Sequence, residues 1–232
     1  MTRYVRKKRK RSRSFLGKAI ILFLIIICFV GALWFAGKID FDKYFEEDWY
    51  LTLVNKSNAI PDNWKSEFTE LKNGEKVDSR IYPDLQEMFD DCRAAGLLPL
   101  VKSSYRTSED QQAMLDEKTE TFIAEGYSED DALELAKTVA AKPGYSEHQL
   151  GLAVDIDSED TSICSNEEVW EWMRAHCADY GFILRYPSGK EQETGVTFEP
   201  WHFRYVGKDA ARTIMDDGIT FEEYMNKEGK GL

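Results

Sequence analysis

Two short segments of this 232-residue chain combine histidine with acidic residues at spacings that suit metal-dependent chemistry. In "SEHQLGLAVDID", residues 146–157, His148 is followed seven residues later by Asp155. The run "LAVDID" alternates as a β-strand does, which places Asp155 and Asp157 on the same face. Gly151 would let the chain turn, so that His148 and one of these acids can converge. The residues alone do not decide which acid that is.

The second segment is "TFEPWHFRYVG", residues 197–207, where Glu199 precedes His202 by three residues. A zinc ion that catalyses hydrolysis takes three protein ligands of the His, Asp or Glu type and leaves a fourth position for water. A carboxylate that does not bind the metal must accept a proton from that water. His148, Asp155 and His202 can supply the ligands, and Glu199 can supply the carboxylate. The structural alternative, a hydrogen-bonded histidine beside a surface acid and a buried aromatic strand, stays open.

The four cysteines favour neither a structural zinc site nor a disulfide framework. Cys28 lies in an apolar N-terminal segment and Cys164 in a polar loop. Cys92 and Cys177 occupy the apolar faces of predicted helices and are predicted to be core residues. A disulfide between Cys164 and Cys177 is permitted if this part of the chain lies outside the cell.

These segments are embedded in a mixed order of predicted helices and strands. Helices are predicted from Pro83 to about Ala95, from Ser108 to near Gly126, from Ser128 to Pro143, from Ser165 to before Gly181, and in "KDAARTIMDDG" and "TFEEYMNK". Strands are predicted in "LPLVKSSY", "LAVDID", "GFILRYP" and "WHFRYVG". Ser108 with Gln111 three residues later has the form of a capping box. The absence of a regular βαβ repeat predicts an α+β domain with a largely antiparallel sheet flanked by helices.

The N-terminus predicts a membrane anchor. Residues 1–18 carry nine Lys and Arg and no acid, and residues 19–37, "AIILFLIIICFVGALWFAG", carry no charge. That stretch is long enough to cross a bilayer core of about 30 Å as one transmembrane helix. A cleaved signal peptide is the alternative, but no good small-x-small cleavage site is present. We expect residues 1–18 to be cytoplasmic, 38–50 to be a connector and 51–227 to form one extracytoplasmic domain.

The charge of the remaining chain argues against nucleic acid as a partner. After residue 18 there are 21 of the 30 basic residues against all 42 acidic residues. A strongly negative surface repels phosphate backbones. The apolar fraction of 43% and the aromatic fraction of 13% are typical of a globular core.

Several motifs, taken in order, resemble one family of enzymes. "SEHQLGLAVDI" resembles the S-x-H-x-x-G-x-A-x-D signature of the VanY-like D-alanyl-D-alanine carboxypeptidases. "EPWHFRYVG" is similar to their E-x-W-H sequence, and "SSYRTSEDQ" to their S-x-Y-R-[ST]-x-x-x-Q stretch. "LVNKSNAIP", "YGFILRYPSGK" and "FEEYM" fit as well. The similarity runs from about Leu51 to Met225, and the chain shows no departure from the family at a catalytic position.

The resemblance implies a zinc site with defined ligands. It implies His148, Asp155 and His202 as the ligands of Zn²⁺, and so selects Asp155 rather than Asp157. It implies Glu199 as the catalytic base. The fold that it implies is the DD-peptidase/hedgehog-like α+β fold.

Three further residues match positions that the family uses for substrate. Arg106 matches the substrate arginine, and its fork of donors suits a carboxylate or a carbonyl oxygen that becomes negative in the transition state. Gln111 matches a glutamine near the substrate, although a capping box explains it equally well. Ser146 either contacts substrate or shapes the turn before His148. His176 has no partner at ligand spacing and is predicted to be structural.

Together these features predict a membrane-anchored zinc carboxypeptidase, a peptidase that acts outside the cell. The resemblance implies peptidoglycan stem peptides as substrate and release of their terminal D-Ala. L,D-carboxypeptidase action on tetrapeptide stems is an alternative, because the motifs are shared. A non-hydrolytic wall-binding or sensing module on the same fold is another, and the presence of Glu199 argues against it.

Overall fold

The computed structural model describes Phe23 and residues 48–229. Contacts divide the chain into two units, Met1–Trp49 and Tyr50–Leu232. The predicted cytoplasmic tail, the membrane anchor apart from Phe23, and most of the connector therefore fall outside the described residues. Within the described part of the chain, no helix is both long and apolar enough to cross a membrane.

The second unit contains two antiparallel sheets. A hairpin pairs β1 (Phe68–Glu70) with β2 (Lys76–Asp78). The central sheet contains β3 (Pro99–Ser103), β4 (Ala153–Ser158), β5 (Phe182–Leu184) and β6 (His202–Tyr205). Its strand order is β3-β4-β6-β5, and every neighbouring pair is antiparallel. The predicted α+β class with an antiparallel sheet is confirmed.

Helices flank the central sheet. In the described residues they are α1 (Tyr82–Ala94), α2 (Ser108–Ala124), α3 (Glu129–Val139), α4 (Asn166–His176), α5 (Glu191–Thr194), α6 (Lys208–Asp217) and α7 (Phe221–Lys227). One apolar cluster joins α6 and α7 to β5 through Ile214, Phe221 and Ile183. A second, smaller cluster joins α2 to α3 through Leu115 and Ala136. The burial of these apolar faces holds the helices in place around the strands.

The N-terminus of α2 differs from the sequence prediction by one residue. The capping box is formed by Thr107 and Asp110, not by Ser108 and Gln111. The Thr107 hydroxyl accepts from the Asp110 N–H at 3.1 Å, and the Asp110 carboxylate accepts from the Thr107 N–H at 3.0 Å. Both pairs have residue types that favour this motif, so the pattern alone did not separate them. The side chain of Gln111 is consequently free for other contacts.

Gly151 makes the turn that precedes β4. A 3-10 turn over Glu147–Leu150 ends at Gly151, which has φ +75°. A Cβ at this position would lie 2.8 Å from Cε1 of Phe68 and 3.1 Å from the backbone N of Asp78. Both the positive φ and the close approach of β2 therefore favour glycine here. The turn carries the segment around His148 back toward the strand that follows.

All three described cysteines are buried and free. Cys92 and Cys177 belong to the core, as predicted. Cys164 is also buried. The backbone N–H of Leu98 donates to Sγ of Cys164, with N and Sγ 3.3 Å apart, and Oγ of Ser158 lies 3.2 Å from the same sulfur. The disulfide that the sequence permitted between Cys164 and Cys177 is not formed.

Candidate metal centre

The register of the central sheet brings the three predicted ligands together. Asp155 in β4 and His202 in β6 are direct cross-strand partners, and Nδ1 of His202 lies 2.9 Å from Oδ1 of Asp155. His148 arrives from the turn before Gly151, with Nε2 3.5 Å from Oδ2 of Asp155. One potential ligand atom from each residue lies within 4.8 Å of the others. Among the described residues, Asp157 is not part of this cluster.

The second nitrogen of each imidazole faces a hydrogen-bond acceptor. Nδ1 of His148 lies 2.7 Å from the carbonyl oxygen of Ser104, so Nδ1 donates and Nε2 faces Asp155. Nε2 of His202 lies 3.5 Å from Oε2 of Glu147, and its Nδ1 faces Asp155. Metal-binding histidines usually hold their second ring N–H in this way. Two imidazoles and one carboxylate, so oriented, fit a catalytic zinc site with an open fourth position.

The charges around the cluster favour a cation. Burial raises the pKa of the Asp155 carboxyl, but His148 and His202 outweigh burial and hold that pKa well below its usual range. Burial lowers the pKa of His148, although the neighbouring Asp155 carboxylate acts to raise it. Burial also acts to lower the pKa of His202, but hydrogen bonds to Asp155 and Glu147 raise it to about 9. The carboxylates of Asp155 and Glu147 thus lie against the buried imidazoles of His148 and His202.

Glu199 faces the cluster without belonging to it. Its Oε2 lies 3.8 Å from Nδ1 of His202, and it is not one of the three residues whose ligand atoms converge. The backbone holds it there, because its N–H donates to the carbonyl of Tyr186 and its carbonyl accepts from the N–H of His202, both at 3.2 Å. Burial raises the pKa of Glu199. A carboxylate with a raised pKa is a better proton acceptor near neutral pH.

Arg106 lies beside the carboxylate of Asp155. Its Nη2 lies 3.6 Å from Oδ2 of Asp155. Its Nη1 donates to Oε1 of Gln111 at 3.0 Å, and its Nε donates to Oγ of Ser103 at 3.3 Å. Gln111 is itself fixed, because its Nε2 donates to the carbonyl of Ala141 at 2.7 Å. Gln111 therefore orients the guanidinium and does not cap α2.

A cavity of about 230 Å³ opens beside these residues. Its lining includes the seven residues singled out in the sequence: Arg106, Gln111, Ser146, His148, Asp155, Glu199 and His202. Ser146 is only 7% exposed and directly precedes the 3-10 turn that carries His148. Trp201 also lines the cavity and packs on Trp170 with ring centroids 5.7 Å apart. His176 lies elsewhere, exposed at the end of α4 and stacked on Trp172.

Among the lining residues that sequence reasoning missed, two contact His202. Glu147 contacts His202, and Tyr186 packs on the His202 ring with centroids 4.9 Å apart. Glu147 carried no signal, because an acidic residue beside a histidine is ordinarily a solvated surface residue. Tyr186 carried none, because an aromatic residue at the end of a strand is ordinarily part of the core.

The chain is similar to known carboxypeptidases over most of its length. Residues 74–208 match the family model for VanY, D-alanyl-D-alanine carboxypeptidase. A D-alanyl-D-alanine carboxypeptidase of Enterococcus faecalis is 48% identical over 183 residues, which cover 79% of this chain and 68% of that protein. The putative carboxypeptidase YodJ of Bacillus subtilis is 36% identical over 195 residues, with 78% and 68% covered.

Solved structures of carboxypeptidases also resemble this one. VanYB in complex with D-alanine-D-alanine has a TM-score of 0.75 at 48% identity and covers 78% of this chain and 99% of its own. A variant of the vancomycin-resistance D,D-pentapeptidase VanY in complex with Zn(II) has a TM-score of 0.74 at 48% identity, with 77% and 99% covered. The LD-carboxypeptidase LdcB has a TM-score of 0.64 at 34% identity, with 75% and 85% covered.

Proposed function

The chain belongs to the VanY family of D-alanyl-D-alanine carboxypeptidases, and we propose on that premise how its own residues perform the reaction. It is a zinc-dependent hydrolase that removes the terminal D-Ala from peptidoglycan stem peptides. The observation that carries this conclusion is the convergence of His148, Asp155 and His202, with Glu199 beside them and outside the ligand set.

The three ligands and Glu199 divide the chemistry between them. When held by His148, Asp155 and His202, zinc supplies a Lewis acid for the scissile carbonyl and lowers the pKa of the attacking water. Glu199 accepts the proton of that water and then passes a proton to the leaving amine of D-Ala. Its side chain is 22% exposed and lines the cavity, so the proton acceptor faces the space that the substrate would enter.

Arg106 is proposed to bind the substrate. Its side chain is 15% exposed, and its guanidinium is fixed by Gln111 and Ser103, so it presents its remaining donors to the cavity in one orientation. Such a fork suits the terminal carboxylate of the peptide or the oxygen that becomes negative in the transition state. Ser146 lines the same cavity and is proposed as a second substrate contact.

Cleavage of tetrapeptide stems is the second candidate, because the chain also resembles the LD-carboxypeptidase LdcB. Its greater similarity to VanYB, which was solved with D-alanine-D-alanine, favours pentapeptide stems. Incubation of the purified protein with defined tri-, tetra- and pentapeptides, with products identified by mass spectrometry, separates these activities. We expect loss of one alanine from the pentapeptide. Exclusive cleavage of the tetrapeptide would select the second candidate, and no cleavage would contradict both.

We also propose that residues 19–37 anchor the protein in the cell membrane, with the catalytic domain outside the cell. The support is the apolar length of this segment and the basic run in residues 1–18. The wall substrate is on the same side of the membrane. The protein should stay with the membrane fraction after a high-salt wash. A soluble form that begins near Gly37 or Lys38 would instead indicate a cleaved signal peptide.

A further inference from the structure

We infer that Glu147 is a positioning residue for the metal centre, which holds His202 through the ring nitrogen that does not face the metal site. The inference rests on the zinc centre of the proposed function, and it does not depend on the identity of the peptide substrate. Glu147 matches none of the ligand or base positions that the sequence motifs assign. Its contacts nevertheless tie it to one of the ligands.

The carboxylate of Glu147 reaches the outer edge of the His202 imidazole. Its Oε2 lies 3.5 Å from Nε2 of His202, while Nδ1 of the same ring faces Asp155. The Glu147 side chain is 1% exposed, so water cannot replace it as the acceptor. A carboxylate at this position favours the tautomer with the proton on Nε2. That tautomer leaves the Nδ1 lone pair free for a metal.

Two arginines hold Glu147 in this position. Nε of Arg185 donates to Oε1 of Glu147 at 2.8 Å, and Nη1 of Arg204 lies 3.1 Å from the same oxygen. Both arginine side chains are fully buried. Because the two cations contact Oε1, the other carboxylate oxygen is left to His202.

The arginines are themselves anchored to parts of the chain remote in sequence. Nη1 of Arg185 donates to Oε2 of Glu222 in α7 at 2.8 Å, and Nη2 of Arg185 pairs with Oε1 of the same residue. Nη2 of Arg204 donates to the carbonyls of Tyr50 and Thr52 at 3.1 and 2.8 Å. Two glutamates and two arginines thus balance in charge, which makes their burial tolerable. The start and the end of the domain therefore fix the carboxylate that contacts His202.

A purely structural role for this network predicts a different outcome from a positioning role. Loss of a fold-stabilising ion pair lowers the melting temperature and leaves the affinity of the folded site for zinc unchanged. Loss of a carboxylate that orients a ligand weakens zinc binding in the folded protein, typically by about 10–100-fold. The dissociation constant for zinc therefore distinguishes the two roles.

The experiment measures the zinc dissociation constant of the full-length protein by competition with a chelator, with the melting temperature recorded in parallel. Glu147→Gln should fold and bind zinc about 10–100-fold more weakly than the wild type. Asp84→Asn is the matched control, since Asp84 accepts from the hydroxyl of Tyr205 at 2.8 Å and pairs with Lys208 at 2.9 Å but does not contact a ligand. This control should lower the melting temperature and keep the wild-type zinc affinity.

If circular dichroism shows that Glu147→Gln does not fold, the measurement is made on Glu147→Asp. Glu147→Asp keeps a negative charge beside both arginines. Its side chain is one methylene shorter, so it cannot contact the arginines and the His202 imidazole at the same time. This variant should therefore also bind zinc more weakly than the wild type. Wild-type zinc affinity in the folded variant, or an equal loss in Asp84→Asn, overturns the inference. A wild-type protein that binds no zinc would instead contradict the proposed function.

Discussion

Asp155 and His202 face each other across β4 and β6, with Oδ1 and Nδ1 2.9 Å apart. Two of the three predicted ligands are therefore part of the sheet itself. A slip of one residue by either strand would turn its ligand to the opposite face of the sheet and separate the two side chains. His148 joins them from the turn that ends at Gly151. The precision of the site thus depends on strand register and on one glycine.

The first prediction concerns the metal ligands. His148→Ala and His202→Ala should each lose most of the bound zinc, because two remaining ligands hold zinc poorly. Elemental analysis of the purified variants, normalised to protein concentration, measures the effect. His176→Ala is the matched control, since His176 is exposed and stacks on Trp172, and its zinc content should equal that of the wild type. Normal zinc occupancy in His148→Ala would refute the site as described.

The second prediction concerns Glu199. Glu199→Gln keeps the size of the side chain and removes the proton acceptor, so the zinc content should stay near that of the wild type. The rate constant kcat should fall by roughly 10²–10⁴, which is the usual contribution of general base catalysis. Single-turnover kinetics on a pentapeptide would measure the chemical step directly. Wild-type turnover in this variant would rule out the hydrolytic mechanism proposed here.

The sequence predicted the members of the metal cluster because they lie in short motifs with fixed spacing. The alternation of β4 placed Asp155 on a polar face, and Gly151 indicated the turn. Residue types did not separate Asp155 from Asp157. That distinction depends on which acid is paired with His202 across the sheet, a contact between residues 47 positions apart.

The supports of the site were not predictable in the same way. Glu147, Arg185 and Arg204 are each unremarkable in the sequence, and their contacts become visible only when β5, β6 and the turn before β4 are packed together. Gln111 was ambiguous for a different reason. Two adjacent pairs of residues could form the capping box of α2, and the choice of Thr107 with Asp110 left Gln111 to orient Arg106.

The third prediction concerns the core cysteines. Burial raises the pKa of the Cys92 thiol and of the Cys177 thiol to about 12 in each case. At pH 8 only about one part in 10⁴ of such a thiol is the reactive thiolate. Both residues should therefore resist iodoacetamide in the native protein and react once it is unfolded in urea. Peptide mapping by mass spectrometry reports each cysteine separately, and rapid native alkylation of Cys177 would show that this part of the core is open.

The fourth prediction separates two roles of Arg106. Arg106→Lys keeps a positive charge but loses the two-pronged geometry, so it should lower kcat/KM without emptying the metal site. Gln111→Glu is a useful companion, because it keeps an acceptor for Nη1 of Arg106 but loses the donor to the carbonyl of Ala141, so it should also lower kcat/KM. Zinc content is measured for each variant, so that a loss of metal is not mistaken for a loss of substrate binding.

The comparison of a free-acid pentapeptide with its C-terminal amide decides what Arg106 binds. If the guanidinium pairs with the terminal carboxylate, amidation should lower kcat/KM severely in the wild type and much less in Arg106→Lys, because the variant has already lost that two-pronged contact. If the guanidinium stabilises the negative oxygen of the transition state, the penalty for amidation should be the same in both proteins. Wild-type kcat/KM of Arg106→Lys on the free acid would exclude both roles. The distance of 3.6 Å from Nη2 of Arg106 to Asp155 would then mark an ion pair that serves only to hold the ligand.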